Sequence, residues 1–192
     1  VCGIGGNNTL QIIENIKNTD LEGVDSILSV SPYYIKPTQE GIYNHYIKIA
    51  DESPLPILLY NVPGRTNANI SAETTIRLSE HDNIIGIKEA SCDFEQCMNI
   101  AYNTSDDFLL ISGVDIHTVP LISIGASGVI SVMANAYPQK FQTLVHKALA
   151  GDYQAANPAA FPLLALDPLM YVESSPVGIK KVLELLGLCK PD

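Results

Sequence analysis

Two rhythms of apolar and polar positions alternate along the chain. Short aliphatic and β-branched runs at residues 1–5, 26–34, 55–61, 84–89, 108–112 and 128–134 are bounded by polar or turn-forming residues. That is the pattern of strands buried on both faces. Between them, helix-period stretches cover 9–18, 39–51, 72–81, 94–102 and a short 119–124. Thr38 before Gln39-Glu40 and Ser71 before Ala72-Glu73 read as N-caps, each with acidic charge in the first turn. After the last strand only helices remain, at 138–150, 153–166 and 176–186, the last closed by Gly187 as a C-cap.

Alternating strand–helix units imply a parallel sheet with helices outside it, either an open doubly wound sheet or a barrel. Chemically distinctive residues recur at the C-terminal ends of successive strands: Tyr33-Tyr34, Tyr60, Lys88 and Asp115. A barrel brings such ends to one mouth, whereas an open sheet does so only at its switch point. The expected fold is therefore α/β, a (β/α)8 TIM barrel represented by strands 3–8, with a C-terminal helical extension. The partial barrel is expected over 1–136 and the extension over 137–192. A whole barrel takes eight strands and about 250 residues, so two strand–helix units are expected to be missing upstream of Val1.

Composition narrows the function. Acidic residues outnumber basic ones by 21 to 11, for a net charge of −10. That argues against nucleic acid and anionic membrane as the main partner. No apolar stretch is long enough to span a bilayer, and no secretory leader is visible; a soluble, cytoplasmic chain is expected. Cys2, Cys92, Cys97 and Cys189 lack CxxC or zinc-ligand spacing, and His45, His81, His117 and His146 are scattered. No metal site and no disulfide framework are expected.

Lys88 is the most informative residue. It ends the apolar run Ile84-Ile85-Gly86-Ile87, where another aliphatic would be usual. Such a lysine either snorkels to water or is desolvated, which frees its amine to attack a carbonyl and form a Schiff base. Tyr60, in Tyr60-Asn61-Val62-Pro63-Gly64-Arg65-Thr66, places a phenol at another strand end. It can exchange protons there or simply pack its ring. Arg65, one of only two arginines with Arg77, is a solvated loop residue or a two-pronged carboxylate ligand. Tyr33 and Tyr34, adjacent at a strand end, are expected to point to opposite faces. Gly3-Ile4-Gly5-Gly6-Asn7 lacks dinucleotide-loop spacing and reads as a tight turn. Gly128-Val129-Ile130 either lines a pocket with its backbone or is plain core.

The ordered set SPYYIKPTQEG, LYNVPGRT, GIKEAS, LISGVD and GVISVMAN resembles the dihydrodipicolinate synthase family of pyruvate-dependent class I aldolases, relatives of N-acetylneuraminate lyase. The resemblance runs across nearly the whole chain. It implies a covalent imine between Lys88 and pyruvate, with no other cofactor, and condensation with L-aspartate 4-semialdehyde to 4-hydroxy-tetrahydrodipicolinate on the lysine and diaminopimelate route. Tyr60 would be the proton donor and acceptor. Tyr34 would reach a neighbouring subunit's site, Arg65 would receive the semialdehyde carboxylate, and the Ile130 backbone would line the pyruvate pocket. A homotetramer of tight dimers is implied, and Asn7 and Tyr33 match positions of an allosteric lysine site.

The sequence also departs from the family pattern. In the family, a Gly-Thr-Thr-Gly-Glu motif carrying two site threonines precedes the stretch that this sequence resembles, so part of the family's site is not among its residues. Val114 replaces an acidic residue, Ser175 stands where asparagine is frequent, and Gln11 stands where an acidic residue holds the lysine amine. Two other readings stand beside the synthase: a sibling aldolase for 2-keto-3-deoxy sugar acids or sialic acid, and an inactive structural fragment. Arg65 favours the synthase, because the sialic-acid lyases generally lack it.

Overall fold

A computed structural model describes residues 1–190 and divides the chain into two compact units, Val1–Ile111 and Ser112–Asp192. The last two residues of the helical extension expected from the sequence, 191 and 192, lie outside the described residues.

The first unit holds β1 (Cys2–Gly3), α1 (Thr9–Asn18), β2 (Ile27–Val30), α2 (Gln39–Glu52), β3 (Ile57–Asn61), α3 (Pro63–Thr66), α4 (Ala72–Leu78), β4 (Ile84–Glu89), α5 (Phe94–Asn103) and the start of β5 (Leu109–Ser112). Its strands lie side by side in chain order, and β1 to β4 pair in parallel. This is the alternation that the sequence predicts. The apolar strands are buried from both sides, with Ile27, Ile57, Leu58, Leu59, Ile84 and Ile87 all in the core.

Helix α2 buries Ile42, His45, Tyr46, Ile49 and Ala50, one face at 3–4-residue spacing. Its Tyr46 hydroxyl donates to the Ser29 carbonyl at 2.9 Å, a partner that a fully buried phenol requires. The expected N-caps form: Thr38 Oγ1 accepts from the Gly41 amide and Ser71 Oγ from the Thr74 amide.

Several boundaries move for local reasons. Strand β2 stops at Val30, because Pro32 has no N–H to offer a ladder and Tyr34 turns to φ +73°. Tyr33 and Tyr34 therefore leave the sheet, and strand alternation does not set their directions. Helix α4 stops at Leu78; Ser79 Oγ donates to the Ile76 carbonyl, and the His81 ring accepts the Asn83 amide at 3.0 Å. The Pro-Gly turn after β3 winds into the single helical turn α3, ended by Asn67 at φ +56°.

The second unit carries α6 (Thr118–Ser123), β6 (Gly128–Val129), α7 (Pro138–Leu149), α8 (Tyr153–Ala160), α9 (Leu163–Leu166) and α10 (Val177–Leu185), with 3₁₀ turns at Asp115–His117, Met133–Asn135 and Asp167–Met170. Strand β6 is shorter than the apolar run. Ile130 donates its amide to the Ser112 carbonyl at 3.0 Å, then Ser131 Oγ accepts the Ala134 amide and starts the 3₁₀ turn. The helix expected over 153–166 breaks in two before Pro162, which lacks the donor to continue it. Gly187 follows α10 at φ +71°, as a C-cap glycine should.

Candidate active site

Parallel register sets Tyr60 of β3 directly beside Lys88 of β4. The Lys88 Nζ lies 4.2 Å from the centre of the Tyr60 ring, over its face. Both side chains are half-buried, while the next residue of each strand, Asn61 and Glu89, is fully buried. Strand alternation explains the split: Tyr60 and Lys88 share one face of the sheet, and Asn61 and Glu89 share the other.

Burial pushes the Tyr60 phenol up from its ordinary value, and the positive charge of Arg65 pulls against that shift. Arg65 sits in α3, immediately past the end of β3, and is exposed. The other arginine, Arg77, is occupied elsewhere: it pairs with Glu40 at 2.9 Å and lies 4.0 Å over the Tyr43 ring. A phenol that stays protonated next to an amine can hand a proton to a carbonyl oxygen as the amine adds to its carbon.

Tyr34 is 85% exposed. Its backbone is tied to the same region, since its amide donates to the Thr66 carbonyl at 3.2 Å, one residue from Arg65. Positive φ is uncommon for a bulky residue and needs such an anchor. Asn7 and Tyr33 come together as well: Asn7 Nδ2 donates to the Tyr33 carbonyl at 3.3 Å. Gln11 instead turns along its own helix, donating to Glu14 and Asn15. The glycine-rich segment is needed for close approach, because a Cβ on Gly5 would lie 2.8 Å from the Val30 backbone nitrogen. Ile130 belongs to the second unit, half-buried, with its amide on Ser112. Asp115 there accepts the Met133 amide at 2.8 Å and is structural in that contact.

Behind Tyr60 and Lys88 lies a buried polar network that sequence reasoning misses. Glu89 Oε1 accepts the Ser91 amide, Glu89 Oε2 accepts Gln96 Nε2 at 2.9 Å, and Asn61 Nδ2 lies at 3.1 and 3.0 Å from the two oxygens. Asn61 and Gln96 both bind Asn69, and Asn61 Oδ1 accepts the Ile70 amide at 3.0 Å. The available signal was the polar residue immediately after each strand-end candidate residue. Among the described residues no cluster of three or more His, Cys, Asp or Glu is arranged to hold a metal, and no helix is long and apolar enough to cross a membrane.

Fold and site together define a parallel α/β chain with an amine and a phenol on adjacent strand ends. The profile of the dihydrodipicolinate synthetase family matches residues 1–192. The 4-hydroxy-tetrahydrodipicolinate synthase of Cytophaga hutchinsonii is 52% identical over 190 residues, 99% of this chain and 64% of that protein. Among solved structures, dihydrodipicolinate synthase from Aquifex aeolicus superposes with a TM-score of 0.94 at 36% identity, covering 99% of this chain and 65% of that one. The chloride-inhibited dihydrodipicolinate synthase from Acinetobacter baumannii, complexed with pyruvate, gives 0.93 at 39%, over 98% and 65%. The chain belongs to the dihydrodipicolinate synthetase family, and its six-stranded parallel α/β fold matches part of the family's barrel. It spans a little under two thirds of the length of the relatives it matches.

Proposed function

We propose that the chain carries the Schiff-base centre of a 4-hydroxy-tetrahydrodipicolinate synthase. The observation that carries this reading is the Lys88 amine over the Tyr60 ring on adjacent strands. The Lys88 amine adds to the keto carbon of pyruvate, and water leaves to give a protonated imine. The imine accepts the electron pair when a methyl proton departs, and the enamine carbon then forms the new bond to the aldehyde carbon of aspartate semialdehyde. The amino group of the condensed product displaces Lys88 from the imine carbon, closing the ring and releasing the enzyme. Tyr60 moves protons at the imine nitrogen and the departing oxygen, a role that suits a phenol held protonated by burial.

Arg65 is the ligand for the semialdehyde carboxylate, supported by its place beside Tyr60 and by the engagement of Arg77 elsewhere. Tyr34, exposed in the single chain, serves a neighbouring subunit of a homotetramer. The Ile130 backbone lines the pyruvate pocket. Asn7 and Tyr33, already in contact, form part of an inhibitory lysine site that Gln11 weakens. The helices from residue 137 onward form the C-terminal extension, and the enzyme works in the cytoplasm. A coupled assay with alternative aldehydes tests the substrate: turnover with aspartate semialdehyde supports the reading, and preference for a sugar aldehyde transfers the chain to the sugar-acid aldolases.

A further inference from the structure

We propose that Glu89 is a positioning residue that holds Tyr60 and Lys88 in register through a fixed-polarity network, an inference that rests on the imine reading above. Glu89 is 1% exposed, and each partner it has is an N–H donor: Ser91 backbone, Asn61 Nδ2 and Gln96 Nε2. Two backbone amides fix the direction of the whole chain of bonds, because a main-chain N–H cannot be turned round. Ser91 N–H requires an acceptor at position 89. Ile70 N–H requires the oxygen of Asn61, which turns the Asn61 amide nitrogen toward Glu89 and Asn69. Asn69 then presents its oxygen to Asn61 and its nitrogen to Gln96, whose own nitrogen is left for Glu89.

The network joins the elements that carry the proposed chemistry. Asn61 follows Tyr60, Glu89 follows Lys88, and Asn69 and Ile70 end the segment that contains Arg65. Gln96 lies in α5, whose first turn is capped by Asp93 on the Gln96 amide at 2.9 Å. A buried acceptor shared by two strand ends, one loop and one helix fixes their relative positions to within hydrogen-bond tolerance. Errors of about 1 Å in such a site cost on the order of 10²-fold in rate.

Polarity supplies the test. Glu89→Gln keeps the shape, and its oxygen still serves Ser91 and Asn61, but its new NH₂ faces the NH₂ of Gln96. Adding Gln96→Glu returns an acceptor there and leaves a second oxygen for Asn69, at a helix position that favours an acidic residue. The full chain and three variants (Glu89→Gln, Gln96→Glu, and both) are incubated with pyruvate, reduced with borohydride, and followed for the rate of adduct formation on Lys88. Glu89→Gln is expected to slow trapping about tenfold or more, and the double variant to recover to within about threefold of the parent. Trapping by Glu89→Gln at the parental rate overturns the proposal, as does a double variant that regains the parental melting temperature without regaining the rate. If the parent itself gives no adduct, the imine reading fails, and amide exchange at Ser91 and Ile70 decides the network. Exchange about tenfold faster in Glu89→Gln sustains the anchoring, and unchanged exchange overturns it.

Discussion

Gly86→Ala is the substitution with the sharpest structural consequence outside the site. Gly86 lies in β4 two residues before Lys88 and pairs in register with Leu58. A Cβ at this position would overlap the carbonyl oxygen of Leu109 and approach the Leu109 Cβ to 2.7 Å. The obstruction is largely backbone of the adjacent strand, so no rotamer change relieves it and β4 must move away from β5. Overpacking of a core typically costs about 1–3 kcal/mol, and a clash against main chain belongs at the upper end. About 3 kcal/mol lowers the melting temperature by about 6–12 °C in a chain of this size. Gly3→Ala is the control, since nothing lies within 4 Å of its added Cβ, and it should stay within about 0.5 kcal/mol of the parent. Melting of both variants followed by far-UV circular dichroism checks the pair. Gly86→Ala melting within about 2 °C of the parent would show that the strands are spaced differently here and refute the packing argument.

Removing the Tyr60 hydroxyl in Tyr60→Phe keeps the ring under Lys88 and removes the proton carrier. Steady-state kinetics should show kcat reduced by about 10²–10⁴-fold, with the fold intact by circular dichroism. His45 gives a pH signature of stability. Burial between α1 and α2 pulls its imidazole from 6.5 down to about 4, with Thr9 Oγ1 2.8 Å from Nδ1. The unfolded chain therefore binds the proton first, so this contribution is whole above pH 6.5, falls between 6.5 and about 4, and is level below that. Urea denaturation should show the parent losing about 2–3 kcal/mol more than His45→Gln between neutral pH and the lower end of that window. Parallel pH profiles would contradict it.

The sequence made the strands of the first unit legible where apolar runs were closed by turn residues, as at Ile57–Asn61 and Ile84–Glu89. It overran where a hydrophobic run continues past the last ladder bond. Tyr33-Tyr34 look like strand but follow a proline, and Tyr34 itself takes a left-handed backbone, while 130–134 look like strand but are captured by the Ser131 hydroxyl. Apolar character reports burial, and which backbone groups find partners is decided by tertiary neighbours. The pairing of Tyr60 with Lys88 was accessible because each is a polar residue at the end of an apolar strand. The Glu89 network was not, because its members come from two strands, a loop and a helix, and nothing in their spacing shows that their amides converge.

The central claim is that the Lys88 amine is the nucleophile. Incubation of the chain with pyruvate and borohydride, followed by intact-mass measurement and peptide mapping, tests it most directly. The account predicts one reduced pyruvate adduct per chain, on Lys88, absent from Lys88→Arg. An adduct spread over several exposed lysines, or one that persists in Lys88→Arg, would contradict it.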